Sequence, residues 1–462
     1  MSGFTIAGSE SNTEAITSTP QIATLAVIGA GQRGKRYAEY ALANPNLCRV
    51  VAVAEPRLKT REIFTQRHSI PADRVFADYK DLLVCSTGLL QETRKRIADA
   101  VIVAVQDQMH AEVVLECVKQ GFDILCEKPM ATTPEECIRM ADAVERSRCI
   151  FGMGHVLRYS PYNHELTSVL RSGKLGELIN VVHIEPVGYY HFAHSFVRGN
   201  WSNEAKSSFA LLAKSCHDFD IICHFLHPAT PTRVSSFGSL THFRKSAKPT
   251  EAGDAKRCLD CAYERNCPYS AIRTYLEPVR NGQLGWPASV LTDGPPDIES
   301  IGAALKEGPY GKCVYESDND VVDHQVVNME FSSGATCSFT MVAFTTLICE
   351  RQTRMHFSHG EIIGDSRWIT VTNFKFPEGH LERTTRIVTE IDEAGGHGGG
   401  DFGLMKQFIE AVRGRDQTLL GADVKEVLKS HLLVFAAEKS RKEGRVINVE
   451  DYEVEVRQRM EE

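Results

Sequence analysis

No apolar run in this 462-residue chain approaches the roughly 18 residues that a membrane span needs, so no membrane helix is expected. Basic runs are short as well. Arg94-Lys95-Arg96 is too short for a polybasic arm and reads as a solvated helix face. With a net charge of −8, this argues against nucleic acid as a partner. The first 20 residues lack the charged start and apolar centre of a secretory signal. They are polar, and a flexible leader is expected over 1–20. No internal repeat and no low-complexity tract stands out beyond the glycine run around His397. Cysteine is not scarce. The chain has 14, several inside apolar stretches (Cys117, Cys126, Cys216, Cys223), and without a secretory signal they are expected as reduced thiols in the cytoplasm. With 42% hydrophobic and 24% charged residues the chain is a folding one, long enough for two or three domains.

What is present begins at Leu25-Ala26-Val27-Ile28, an apolar run that ends in Gly29-Ala30-Gly31-Gln32-Arg33-Gly34 and passes at once into a helical pattern. Strand, glycine turn and helix are the context in which GxGxxG binds a dinucleotide. Gly29 permits the tight turn, Gly31 admits a pyrophosphate to the backbone, and Gly34 lets the helix pack on the strand. The helix start, with Gln32 and Arg33, offers free N–H groups and the positive end of the helix dipole. A second run, Val50 to Ala54, ends in Glu55, placed to accept hydrogen bonds from the adenosine ribose.

Strands and helices then alternate to about residue 155. Asp99 to Val105 reads as a buried parallel strand, His110 to Gln120 as a helix closed by Gly121, and Asp123 to Cys126 as a strand running into Glu127-Lys128-Pro129. This predicts a doubly wound parallel sheet over 21–155, with ligands beyond its carboxyl strand ends, where Gln106, His110, Glu127 and Lys128 fall. Lys128, on a loop after a buried strand, is placed to donate to a substrate hydroxyl; the plainer reading is a surface lysine paired with Glu127.

The order of GxGxxG, an acid after the second strand, Val103-Ala104-Val105-Gln106 followed by His110, Glu127-Lys128-Pro129, and Gly154-His155-Val156-Leu157-Arg158-Tyr159 resembles the Gfo/Idh/MocA oxidoreductases (glucose–fructose oxidoreductase, inositol dehydrogenase and relatives). The likeness runs from about 25 to about 449, except for 243–312. It departs at Gln106-Asp107-Gln108, where the family usually has Thr-Pro-Asn. The resemblance implies a catalytic or substrate-orienting Lys128 and a catalytic base at His217. The usual aspartate one turn before that histidine is here Ala213, followed by Lys214. Lys214 is then expected either to bind an acidic or polyhydroxy substrate or to share the acid–base work; a solvated helix residue is the plainer reading. An inward Lys214 would also lower the His217 and Lys128 pKa values. Arg158, Tyr190, His191, His194 and His397 are expected around a sugar pocket, each with a packing or surface role as the alternative. Asp401 reads as a helix N-cap.

From about 178 strand-like runs dominate: Ile179 to Glu185, Thr232 to Ser239, Val321 to Phe331, Ala335 to Ala343 and Glu361 to Gly364. They predict an α+β domain over 156–449, built on a large, mostly antiparallel open sheet, with helices over Phe402 to Arg413 and Ala422 to Lys442. The resemblance implies that such a sheet makes a homo-oligomer, a dimer or tetramer. Cys258, Cys261 and Cys267 are spaced C-x2-C-x5-C inside 243–312. With Cys313 as a fourth ligand they suggest a structural zinc; free thiols or a local disulfide is the alternative.

These features together imply an oxidoreductase passing hydride between a secondary hydroxyl of a carbohydrate and a nicotinamide. NAD is favoured because Glu55 repels a 2′-phosphate, while Arg57 and Arg33 keep NADP open. An NAD-dependent glycosidase or lyase that oxidises its sugar transiently, and a non-catalytic sugar or NAD sensor, are the alternatives.

Overall fold

The computed structural model describes residues 22–375, 383–388 and 396–462. The leader expected over 1–20 lies outside them. The amino-terminal unit alternates β1 Ala23–Ile28, α1 Gln32–Ala43, β2 Cys48–Ala54, α2 Leu58–His68, β3 Val75–Phe76, α3 Tyr79–Thr93, β4 Ala100–Val103, α4 His110–Lys119, β5 Asp123–Cys126, α5 Pro134–Ser147 and β6 Phe151–Met153. Its six strands are all parallel, in the order β3-β2-β1-β4-β5-β6. Every residue of β4 and β5 is buried, as the apolar runs predict for strands covered on both faces. The order reverses between β1 and β4, so the crevice for a ligand opens beyond their carboxyl ends.

After α6 Pro161–Arg171 the chain builds a nine-stranded sheet. Its elements in chain order are β7 Leu178–Pro186, the one-turn α7 Tyr189–Phe192, α8 Ala210–Leu226, β8 Pro231–Ser239, α9 Glu277–Arg280, α10 Ile298–Glu307, β9 His324–Phe331, β10 Thr336–Val342, β11 Gln352–Phe357, β12 Gly360–Gly364, β13 Trp368–Asn373, β14 Arg383–Val388, α11 Gly400–Gly414, α12 Val424–Glu443, β15 Ile447–Asn448 and α13 Val449–Glu461. The sheet order is β14-β13-β12-β11-β7-β10-β9-β8-β15; only β7 and β10 pair in parallel. Helix α8 is buried along almost its whole length between this sheet and α12. That forces its polar residues Lys214, His217, Asp218 and Asp220 into the interior, where each needs a partner.

Several boundaries differ from the sequence reading, three of them with a visible cause. β9 starts at His324 because the Asp323 carboxylate turns back to accept the Thr241 and His242 backbone N–H groups, at 2.9 and 2.7 Å. α12 starts at Val424, capped by Asp423, whose carboxylate accepts from Glu426 N. α11 starts at Gly400 behind Gly399 (φ +89°), so Asp401 lies inside the first turn and is no N-cap. The 243–312 segment carries its own small core, in which Cys258, Tyr275, Leu276 and Val279 meet Ile301 and Leu305 of α10.

Candidate active site

The glycine turn is a built cradle. Gly29 sits at φ +92°, and a Cβ there would run into the Ala104 carbonyl; one at Gly34 would run into the Gly29 carbonyl. A Cβ at Gly31 would meet only the mobile end of Arg57, at 3.4 Å. The backbone at Gly31 is therefore open to close approach, as a pyrophosphate requires. Glu55 is buried beside it. Oε2 accepts from Ala30 N at 2.9 Å, and Oε1 accepts from Arg57 N and Nε at 3.0 and 2.8 Å. Gln106 is exposed at the end of β4, on the same edge.

Three expected cofactor ligands prove to be braces. The Arg33 guanidinium donates to Glu127 Oε1 at 2.6 Å, to Asp401 at 2.7 and 3.1 Å and to the Tyr37 hydroxyl at 2.8 Å. Tyr37 donates in turn to Glu127, whose other oxygen accepts from Lys128 N at 2.8 Å. Burial alone would raise the Glu127 carboxyl; Arg33, Lys128 and Tyr37 outweigh it and hold it below the usual range. Glu127 is thus fully engaged in fixing the Lys128 backbone. His110 is buried, its Nδ1 2.6 Å from the Pro129 carbonyl, and supports the same loop. Asp107, which the sequence reading passed over, accepts from the Trp201 indole at 2.7 Å, and Trp201 lies under the Lys128 ammonium.

Lys128 and His217 come together. Lys128 Nζ donates to the Ala213 carbonyl at 2.7 Å, one turn before His217 on α8, and does not pair with the Glu127 side chain. Buried His217 Nδ1 has no hydrogen-bond partner. Burial first, then Lys128, then the rings of His155 and His397, hold His217 well below the ordinary imidazole value. His397 arrives from the glycine loop, its ring 6.1 Å from that of His217 and its Nδ1 3.0 Å from Asp401.

Lys214 points inward, which rules out the solvated reading. Its ammonium lies 3.2 Å from Glu185 and 2.9 Å from Cys349 Sγ. Arg351 joins Glu185 (2.6 Å) to Asp218 (2.9 Å), and His183 meets Asp218 at 3.2 Å. The Glu185 contacts are not aligned as hydrogen bonds, so charge holds that carboxylate in place. Burial alone would lower the Lys214 pKa; Cys349 and Glu185 outweigh it, so the ammonium stays charged. Burial first, then the Lys214 ammonium, hold His191 well below the ordinary imidazole value. Glu185, Cys349 and Arg351 carried no signal in the sequence.

Two expected pocket residues are structural. Arg158 is buried and clamps Asp220 with two hydrogen bonds of 2.6 and 2.8 Å, so it offers nothing to a sugar. His194 is bonded to the Tyr275 hydroxyl at 2.9 Å and stacked on Tyr310; burial and Arg198 push it down to about 4. Tyr190 and His191 are half-buried and pack against Trp286, at ring separations of 5.9 and 4.9 Å.

Cys258, Cys261, Cys267 and Cys313 line one small cavity together with Arg198 and Tyr315, and no disulfide joins them. Among the described residues, only His155, Cys216 and His431 hold three candidate ligand atoms within 4.8 Å of one another. That trio is ordinary packing. His431 Nε2 already accepts from Met130 N and Nδ1 faces the Val427 carbonyl, while burial pushes the Cys216 thiol up to about 12.

Among the described residues no helix is long and apolar enough to cross a membrane. Comparison with known proteins agrees with this architecture. The profile of the Gfo/Idh/MocA oxidoreductase family, NAD-binding Rossmann fold, matches residues 23–155, and that of its C-terminal alpha/beta domain matches 168–449. The chain is 24% identical to the oxidoreductase YteT of Bacillus subtilis (strain 168) over 327 residues, 67% of this chain and 72% of that protein. It is 42% identical to inositol 2-dehydrogenase 2 of Saccharopolyspora erythraea over 93 residues, only 20% of this chain and 26% of that one. A levoglucosan dehydrogenase solved with NADH and levoglucosan superposes with a TM-score of 0.66 at 15% identity, over 93% of this chain and all of that one. An oxidoreductase of Agrobacterium radiobacter solved with NAD+, L-tartaric acid and magnesium gives 0.65 at 14%, over 93% and 99%. By sequence and by fold, the chain is a member of the Gfo/Idh/MocA family of NAD-binding oxidoreductases.

Proposed function

We propose that this protein oxidises a secondary hydroxyl of a sugar or sugar derivative, with NAD as the dinucleotide. The carrying observation is the Lys128–His217 pair: an ammonium fixed on the Ala213 carbonyl beside a buried imidazole held neutral. The glycine cradle and Glu55 would hold the dinucleotide, which when bound supplies a hydride acceptor. His217, lacking a proton at neutral pH, takes the hydroxyl proton. Lys128 donates to the same oxygen and stabilises the charge that develops on it. Lys214 stays charged against Glu185, which favours a substrate-binding role over an acid–base one. Tyr190, His191 and His397 complete the wall. The test is purified protein with NAD or NADP and a panel of inositols, sugars, uronates and aryl glycosides, following NADH absorbance and bond cleavage together. NADH formation with an inositol or sugar supports the reading. Cleavage without net NADH would replace it with transient-oxidation chemistry, and dinucleotide binding without any turnover would make the protein a sensor.

A structural zinc in the insertion belongs to the same reading. The four cysteines line one cavity, and Cys258 Sγ accepts from Arg198 Nη2 at 3.4 Å and Ala271 N at 3.5 Å. The bridge between Arg257 and Lys312 brings the fourth cysteine beside the first. Ligation would draw the sulfurs inward onto one ion. We also propose that the protein is cytoplasmic and that the open sheet face, where Phe237 lies opposite Val326 and both are exposed, docks a second copy. Light scattering on the eluted protein tests the latter, with a monomer as the contrary result.

A further inference from the structure

The 243–312 insertion does not end at its own core. Between Trp286 and Gly294 it runs from the aromatic wall of the active site to the dinucleotide edge of the first sheet. Trp286 packs on His191. Ser289 Oγ accepts from Gln32 Nε2 at 3.0 Å, at the first residue of α1. Asp293 then caps α2, accepting from Lys59 N at 3.0 Å, Thr60 N at 2.9 Å and the Thr60 hydroxyl at 2.8 Å. Helix α2 starts three residues after Glu55, and Arg57, one of the two residues between, is ion-paired to Glu55. The β2–α2 edge therefore carries Arg57, Lys59 and nearby Lys35 against two carboxylates, one local and one delivered from 234 residues away.

We propose that Asp293 is a cofactor-specificity residue: it occupies the positive end of α2 that a 2′-phosphate on the adenosine ribose would need. This rests on the dinucleotide reading above. A phosphate approaching Arg57 meets Glu55 on one side and Asp293 on the other, and two first-turn N–H groups, those of Lys59 and Thr60, are already taken. The plain ribose of NAD carries no charge there and is unaffected. The insertion thus acts as part of the cofactor site, although its residues lie far along the chain.

The experiment is titration of the full-length protein with NADH and NADPH by fluorescence, for wild type, Asp293→Asn, Asp293→Ser and Asp293→Glu, with competition by adenosine 2′,5′-bisphosphate. Wild type should prefer NADH and resist the bisphosphate. Asp293→Ser should shift the NADPH-to-NADH affinity ratio about five- to tenfold toward NADPH, the exposed charge being partly screened. Asp293→Asn, which keeps a capping oxygen, should shift it in the same direction, and Asp293→Glu should restore the preference. Equal NADH affinity across the set separates specificity from a mere folding role. An unchanged ratio in both neutral variants overturns the proposal while leaving the dinucleotide site standing. Failure of wild type to bind either dinucleotide overturns both.

Discussion

Arg33 and Asp401 lie 368 residues apart and form a two-pronged ion pair, at 2.7 and 3.1 Å, between the first turns of α1 and α11. Through Glu127 and Tyr37 this pair reaches the backbone of Lys128, and through Asp401 it reaches His397. One part-buried brace therefore sets two groups of the proposed active site.

Asp401→Ala should destabilise the fold by about 3 kcal/mol, the low end of the cost of breaking a buried pair, because Arg33 keeps Glu127 and is 28% exposed. Burial alone would raise the Asp401 carboxyl; the His397 hydrogen bond, then the Arg33 charge, outweigh it and hold it well below its ordinary range. A depressed carboxyl contributes stability above its unfolded value, about pH 4, and loses it as the pH falls further. Denaturant titrations should therefore find the two proteins furthest apart near neutrality and converging in acid. Equal separation at every pH would mean that the charge of Asp401 does not matter.

The His217 environment predicts the acid side of a pH–rate profile. Burial and Lys128 keep the imidazole unprotonated below the usual value near 6.5, so kcat/KM should hold as the pH drops through that value. Replacing Lys128 with Met removes a positive neighbour, favours the imidazolium and moves the acid limb upward. His217→Ala should lower kcat by about 10²- to 10⁴-fold. A wild-type limb at the ordinary imidazole value would contradict the depressed His217, and an unmoved limb in the Lys128 variant would contradict the part given to Lys128.

Lys214 makes a separate prediction. Its ammonium is buried against Glu185, so Lys214→Met leaves Glu185 to Arg351 alone. If Lys214 holds substrate, KM should rise about tenfold with a smaller change in kcat. Unchanged turnover and KM in a folded Lys214→Ala protein would remove both roles that the sequence suggests for it.

The parts that could be read beforehand are local ones. Gly29 and Gly34 are required by close backbone contacts, and their spacing, read with the apolar run before it, the helical pattern after it and Glu55, announced the cradle. The all-buried β4 and β5 followed from continuous apolar runs. Long-range side-chain pairings left no periodic trace. Asp401 sits before an apolar helix and looked like a cap, yet Gly399 in the left-handed region starts the helix earlier and turns Asp401 toward Arg33. His194 lies among aromatics like a sugar ligand, but Tyr275, from an unrelated stretch, takes its ring nitrogen. The capping of α2 by Asp293 was equally silent, because nothing near either residue marks the other.

The cysteine cavity yields the last prediction. Cys258 and Cys313 are buried, whereas Cys261 and Cys267 are half-buried on short turns, so the latter two can move onto an ion without disturbing the insertion core. Metal analysis should find about one zinc per chain if the four thiolates form a tetrahedral site. Cobalt put in its place should give the thiolate charge-transfer absorption of a sulfur-ligated tetrahedral ion. Cys261→Ser and Cys267→Ser should each weaken metal retention and lower the melting temperature of the metal-loaded protein, with a smaller effect on the chelated protein. Because Trp286 and Ser289, the latter bonded to Gln32 at the start of α1, hang from this insertion, loss of the ion should also loosen NADH binding. Protein that holds no zinc, takes up no cobalt and binds NADH equally well after chelation would leave the four cysteines as packing alone.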